Sequence, residues 1–190
     1  MRVEERWVAK ITDQQIVREV LAGNDGCFKI LVQRYQEPIA RLAFFHLKDI
    51  HQAEDITQET FLRAYTYLSG YKTEQSMRNW LFAIAANLCR KWHRQRIFTV
   101  PLKSIFHLQA SECVEKEVLH SAEIHETKAL LNSLPAKESI VLVLCYINGL
   151  TIREVAEVLG IPEGTVKSRL NRGLGRLRQS VFAEHAVGRE

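Results

Sequence analysis

Between Ile161 and Arg178 the chain reads IPEGTVKSRLNRGLGRLR. After Glu163 this stretch carries Lys167, Arg169, Arg172, Arg176 and Arg178 and no acid. A cationic row without carboxylates suits a polyanion, although a solvated helix face would read the same way. Winding the segment at about 100° per residue separates its roles. Val166, Leu170, Leu174, Leu177 and Val181 fall on one arc, which must face a core. Ser168, Asn171, Arg172, Gly175 and Gln179 fall opposite, with Lys167 and Arg178 on one flank and Arg169 and Arg176 on the other. Small polar groups and one Arg at the centre suit base edges, and cations on both flanks suit phosphates. Gly175 costs about 1 kcal/mol of helix propensity relative to Ala, and close approach to DNA is one compensation.

What positions this helix lies just before it, in LTIREVAEVLG. Thr151 and Glu154 have capping-box spacing, Ile152, Val155, Val158 and Leu159 form an apolar stripe, and Gly160 is placed to end the helix. A short turn and Pro162 then lead into the basic helix. Two short helices, a glycine-bearing turn and a basic second helix make a helix-turn-helix.

Two more faces emerge in the N-terminal half. On a helical pattern from Ala53 to Leu68, Asp55, Gln58, Glu59 and Leu62 share one side, while Ile56, Phe61, Ala64 and Leu68 share the other. A Leu set among carboxylates and an amide fits a partner with basic groups, and an ordinary solvated face is the alternative. On the pattern from Ser76 to Arg96, Met77, Leu81, Ile84 and Leu88 form a buried stripe. Asn87, Arg90, Lys91 and Arg94 form an acid-free face, with Trp80, Phe82 and Trp92 close by. Charge, amide hydrogen bonds and stacking together can hold nucleic acid, although aromatics more often serve the core.

The remaining pattern is helical too. TDQQIVREVLAGND opens with a Thr12–Gln15 capping box, and the next segment, from Cys27 to Leu47, contains Pro38, which is expected to kink or break it. Periodicity is lost from Phe98 to about Leu119, so this stretch reads as a linker. SIVLVLCYI is rich in strand formers, yet the length available between Pro135 and Gly149 favours a buried helix. The expected fold is therefore all-α: two small helical domains joined by a flexible linker, the C-terminal one containing the helix-turn-helix. The expected boundaries are 10–97, 98–122 and 123–184.

Composition sets the outer limits. The 190 residues are 46% hydrophobic and 25% charged, with a net charge of +4, which is ordinary for a globular chain. No signal-peptide pattern and no apolar run of membrane-spanning length occurs, so a cytoplasmic location is expected. Cys27, Cys89, Cys113 and Cys145 are scattered without a C-x-x-C pair, and the five-residue spacing of His120 and His125 does not place both on one helical face. No metal, no cofactor, no small-molecule substrate and no catalytic residue is expected. The only G-x-G, Gly173 to Gly175, lies within a basic helix rather than after a strand.

Taken together, AEDITQETFLRAY (53–65), WLFAIAANLCRKWHR (80–94) and LTIREVAEVLGIPEGTVKSRLNRGLGRLR (150–178) resemble the bacterial extracytoplasmic-function (ECF) sigma factors of the sigma-70 family. The resemblance covers both domains in order. It implies region 2 and region 4 joined by a linker that threads toward the polymerase active-site channel. It implies that Asp55, Gln58 and Glu59, with Leu62 on the same face, dock on the β′ clamp helices of core RNA polymerase, and that region 4 meets the β flap. The loop GYKTEQSMRN would capture a flipped −10 base, with Trp80 and Asn87 at that site and Arg90, Lys91 and Arg94 on the backbone. Lys167, Ser168, Arg169, Asn171, Arg172 and Arg176 would meet the −35 element of promoter DNA. Met77 stands where the family often has Phe, and Lys91 where it often has Asp, so the promoter sequence does not carry over. An anti-sigma factor, often membrane-anchored in that family, is implied as well; it would hold the chain at the inner face of the membrane until a stress signal. The rival readings are a dimeric helix-turn-helix regulator and, more distantly, a recombinase, which core-polymerase binding would separate from a sigma factor.

Overall fold

The computed structural model describes residues 11–72, 74–98 and 134–187, with side chains up to 92 and 180 in the helices that end the second and third segments. The expected linker, Cys113, His120 and His125 lie outside the described residues. Among those described, every regular element is helical. In chain order they are α1 (Asp13–Leu21), α2 (Phe28–Leu47), α3 (Ile50–Thr66), α4 (Met77–Phe98), α5 (Ala136–Leu142), α6 (Ile152–Leu159) and α7 (Glu163–Val187).

Local chemistry accounts for most boundaries. Thr12 and Gln15 close a reciprocal capping box on α1, and Thr151 and Glu154 do the same on α6. Each box satisfies amide donors that the first turn leaves without partners. Gly160 ends α6 at φ 62°, a left-handed conformation that costs glycine little. Helix α3 starts at Ile50, three residues before the periodic pattern, because the Asp49 side chain accepts from the Gln52 amide at 3.1 Å. Pro38 neither ends nor splits α2, which continues to Leu47 with Ile39, Ala40 and Leu42 through Leu47 buried on its C-terminal half. Burial of those side chains, worth about 1.5–3 kcal/mol for each large one, offsets the one backbone hydrogen bond that proline removes. After Leu142, α5 widens into a π-turn over Val143–Ile147, so SIVLVLCYI is helical as its length implies.

Helices α2, α3 and α4 form the first bundle, with α1 laid on α2 through Ile16, Val17 and Val20. Arg34 and Tyr35 of α2 both bond to the Asp13 carboxylate and fix that placement. Helices α5, α6 and α7 form the second bundle around Val141, Leu144, Val155, Val158 and Val166. The bundles touch along two seams, α4 on α6 and α2 on α5. At the first seam Arg90 donates to the Leu159 carbonyl at 3.0 Å, and Asn79 donates to Glu154 at 3.4 Å. The Leu159 carbonyl belongs to the last turn of α6, where backbone acceptors lack helical partners and the helix dipole favours a cation.

Candidate nucleic-acid and partner interfaces

Helix α3 divides into two faces as its sequence predicts. Ile56, Phe61 and Ala64 are buried, with Leu68 just beyond the helix, whereas Asp55 and Gln58 are exposed and Glu59 is half-exposed. Leu62 is 62% exposed in the same row. Glu59 is braced by Arg63 one turn on, at 2.6 Å. The surface is therefore an apolar side chain framed by two carboxylates and an amide.

Helix α4 presents Asn87 and Lys91 outward, with Arg90 half-buried between them. Arg90 also donates to the Asn87 amide oxygen at 2.6 Å, so these two side chains hold one another. Trp80 packs against Tyr71 with ring centroids 5.1 Å apart, and Phe82 is fully in the core. Of the three aromatics, Phe82 is thus unavailable for stacking, while Trp80 and Trp92 are partly exposed. The Arg94 side chain lies outside the description.

On α7, Val166 and Leu170 are buried and Leu174 and Leu177 partly so. Lys167, Ser168, Asn171, Arg172, Gly175 and Gln179 are exposed, and Arg169 is half-buried. Ser168 and Arg172 spend bonds on the helix backbone: Ser168 donates to the Thr165 carbonyl and Arg172 Nε to the Ser168 carbonyl. Arg176 lies 3.2 Å from the Glu138 carboxylate of α5, which is nearly fully buried, in a contact not aligned as a hydrogen bond. Gly173 is the residue that packs: a Cβ there would lie 2.7 Å from Leu142 Cδ1. Gly175, by contrast, has open space around it. Neither Glu138 nor Gly173 stands out in the sequence, because each matters only through a partner more than thirty residues away.

The Glu154 carboxyl sits below its ordinary range. The Thr151 backbone amide and hydroxyl are the larger causes, partly opposed by burial, with smaller help from Asn79 and Arg78 across the seam. Burial pushes the Cys89 thiol up to about 12, and no described group of three or more His, Cys, Asp or Glu residues is placed to hold a metal ion.

Against known proteins, the family model for Sigma-70 region 2 matches residues 31–97 and that for Sigma-70 region 4 matches residues 124–177. The ECF RNA polymerase sigma factor SigW of Bacillus subtilis is 31% identical over 176 residues, spanning 87% of this chain and 94% of that protein. The chain belongs to the ECF RNA polymerase sigma factors. As a sigma factor it binds core RNA polymerase and directs initiation at promoters, and it is not an enzyme. Two solved structures share the fold. One is CnrH in complex with the cytosolic domain of CnrY, 24% identical, covering 90% of this chain and 97% of that one at a TM-score of 0.68. The other is the sigma factor RpoE in complex with the anti-sigma factor NepR from Bartonella quintana, 22% identical, covering 82% and 96% at a TM-score of 0.66. The region 2 match takes in most of α2, all of α3 and α4 as far as Ile97, and the region 4 match takes in α5, α6 and α7 as far as Leu177. Among the described residues no helix is long and apolar enough to cross a membrane.

Proposed function

We propose that this sigma factor divides its work among three surfaces. The α3 face of Asp55, Gln58, Glu59 and Leu62 docks on the β′ clamp helices of core polymerase. The α4 face of Asn87, Arg90, Lys91 and Arg94, with Trp80 beside it, reads the −10 element. The α7 face of Lys167, Ser168, Asn171 and Arg172, flanked by Arg169, reads the −35 element, and region 4 also meets the β flap. Residues 10–97 act as region 2, residues 98–122 as the linker and residues 123–184 as region 4. The observation that carries the docking assignment is Leu62, held 62% exposed between acids and an amide on a helix whose opposite face buries Ile56, Phe61 and Ala64. Such a residue gains by burial against a partner and is costly to leave in water.

The chain works in the cytoplasm and is held inactive by an anti-sigma factor until a stress signal arrives. Support comes from the related fold of the sigma factor RpoE, solved with its anti-sigma factor NepR. Anchoring of that partner in the membrane would keep the sigma factor at its inner face.

Reconstituted transcription tests the reading. Core polymerase plus this chain should give specific run-off transcripts from host promoters, and Asp55→Lys should weaken core binding at least tenfold by reversing a charge at the docking face. Core affinity unchanged by Asp55→Lys would refute the docking assignment. No specific transcript from any candidate promoter would refute the assignment of the two promoter-reading faces.

A further inference from the structure

Between the two bundles lies a cavity of about 660 Å³ whose walls come from α2, α3 and α4 on one side and α5, α6 and α7 on the other. Five cations line it: Arg63, Arg90, Lys91, Lys137 and Arg169, with Asn87 beside them. Among the described residues that line it there is no carboxylate. Glu59 offsets Arg63 and the Leu159 carbonyl engages Arg90, whereas Lys91, Lys137 and Arg169 form no ion pair with a described residue. Gathering like charges in a partly enclosed space raises their mutual repulsion, which an anion in that space would relieve.

Promoter reading accounts for only part of this cluster. Arg63 sits at the end of the α3 docking helix and Lys137 near the start of α5, so neither belongs to either proposed DNA face. The volume falls in the range of small-ligand sites and is far too narrow for a duplex. Ile140 and Leu159 give the cavity an apolar floor. We infer that the interdomain cavity binds a polyphosphate anion, with Lys91, Lys137 and Arg169 as its main phosphate contacts and Asn87 as an amide donor. Two consequences follow. A ligand contacting both bundles stabilises their closed arrangement by mass action. The same ligand occupies Asn87, Arg90, Lys91 and Arg169, so it and promoter DNA exclude one another.

The inference goes beyond the division of labour proposed above and is tested without polymerase or promoter. The full chain is titrated calorimetrically with sodium tripolyphosphate at fixed low ionic strength, with ATP, sulfate and a hexaglutamate peptide as parallel probes. One tripolyphosphate should bind per chain, at least tenfold more tightly than sulfate, and Lys137→Glu should weaken it at least tenfold. Lys137 is exposed, so the variant folds, and the milder Arg63→Gln should weaken binding in the same direction. Equal affinity for ATP and tripolyphosphate would assign recognition to the phosphate chain alone. Tighter ATP binding would add the apolar floor as a surface for the base, and either result upholds the site. Unchanged affinity in Lys137→Glu would place the anion on the DNA-reading surfaces and overturn the inference. Tighter binding of hexaglutamate would overturn it in favour of an acidic protein segment, and no binding at 1 mM tripolyphosphate would overturn it outright.

Discussion

Arg176 offers the sharpest separation between a DNA contact and a structural cation. Its sequence position puts it on the basic flank of the recognition helix, yet the structure sets its guanidinium 3.2 Å from Glu138. The Glu138 side chain is 7% exposed and that of Arg176 is 54% exposed. Breaking a fully buried ion pair costs about 3–5 kcal/mol because a charge is left behind in a poor solvent. An exposed pair contributes about 0–1 kcal/mol. Here one partner is in water, and Glu138 also gains from the N-terminal turn of α5, so Arg176→Ala should cost about 1–2 kcal/mol.

A double-mutant cycle isolates that contribution. Glu138→Gln keeps the shape of the side chain and removes the stranded charge, so the loss of Arg176 should matter little in its background. Urea unfolding of the four proteins should give a coupling energy of about 1 kcal/mol. Titration of −35 duplexes should show Arg176→Ala losing affinity about equally for all sequences, as expected for a helix whose seating has loosened. Additivity within about 0.3 kcal/mol, combined with a salt slope reduced by about 1, would refute the reasoning and make Arg176 a phosphate contact.

Gly173 and Gly175 of α7 should respond in opposite directions. Gly175→Ala should raise stability by about 1 kcal/mol while impairing −35 binding if DNA approaches that open face, whereas Gly173→Ala should lower stability, since overpacking Leu142 costs about 1–3 kcal/mol against that same gain; equal shifts in urea midpoint would contradict this. For Glu154, the folded carboxyl titrates below its unfolded value, so its contribution is present above the unfolded value, near 4.5, and is lost as pH falls through the lower folded value. Glu154→Gln should therefore cost about 0.5–1 kcal/mol at neutral pH and flatten the stability profile below pH 4.5, and a profile parallel to the parent's would refute it.

The sequence was informative wherever a signal is local. Capping boxes at Thr12–Gln15 and Thr151–Glu154, the glycine stop at Gly160 and the two-sided winding of α3 each depend on residues within a turn or two of one another. From sequence alone Pro38 allows either a kink or a break; the helix is not broken, and the burial that carries α2 past it depends on α3 and α4, which lie elsewhere in the chain. The candidate surfaces were legible as helix faces, but their neighbours were not. Winding α7 showed Arg176 on a basic flank and could not show Glu138 beneath it. It drew attention to the exposed Gly175, while the glycine under steric demand is Gly173, whose partner Leu142 lies on another helix. The cationic cavity was invisible for the same reason, since its lining comes from both bundles.

The seam between the bundles also bears on how two promoter elements are read by one chain. In this structure α4, the helix proposed to read the −10 element, touches α6, and Arg90 is engaged with Leu159. Promoter elements centred near −10 and −35 are about 25 base pairs apart, roughly 85 Å along B-form DNA. Two faces in mutual contact cannot lie on both, so the bundles must separate when the promoter is bound. The seam is suited to parting. Two hydrogen bonds across it, Arg90 to Leu159 and Asn79 to Glu154, involve polar groups that water or phosphate can satisfy equally well. Each contributes only about 0.5–3 kcal/mol net, against the 4–10 kcal/mol by which specific DNA sites typically exceed non-specific ones. On the proposed assignment Arg90 is the group over which the two arrangements compete directly: the α6 carbonyl holds it when the chain is closed, and the −10 backbone would take its place when the chain opens.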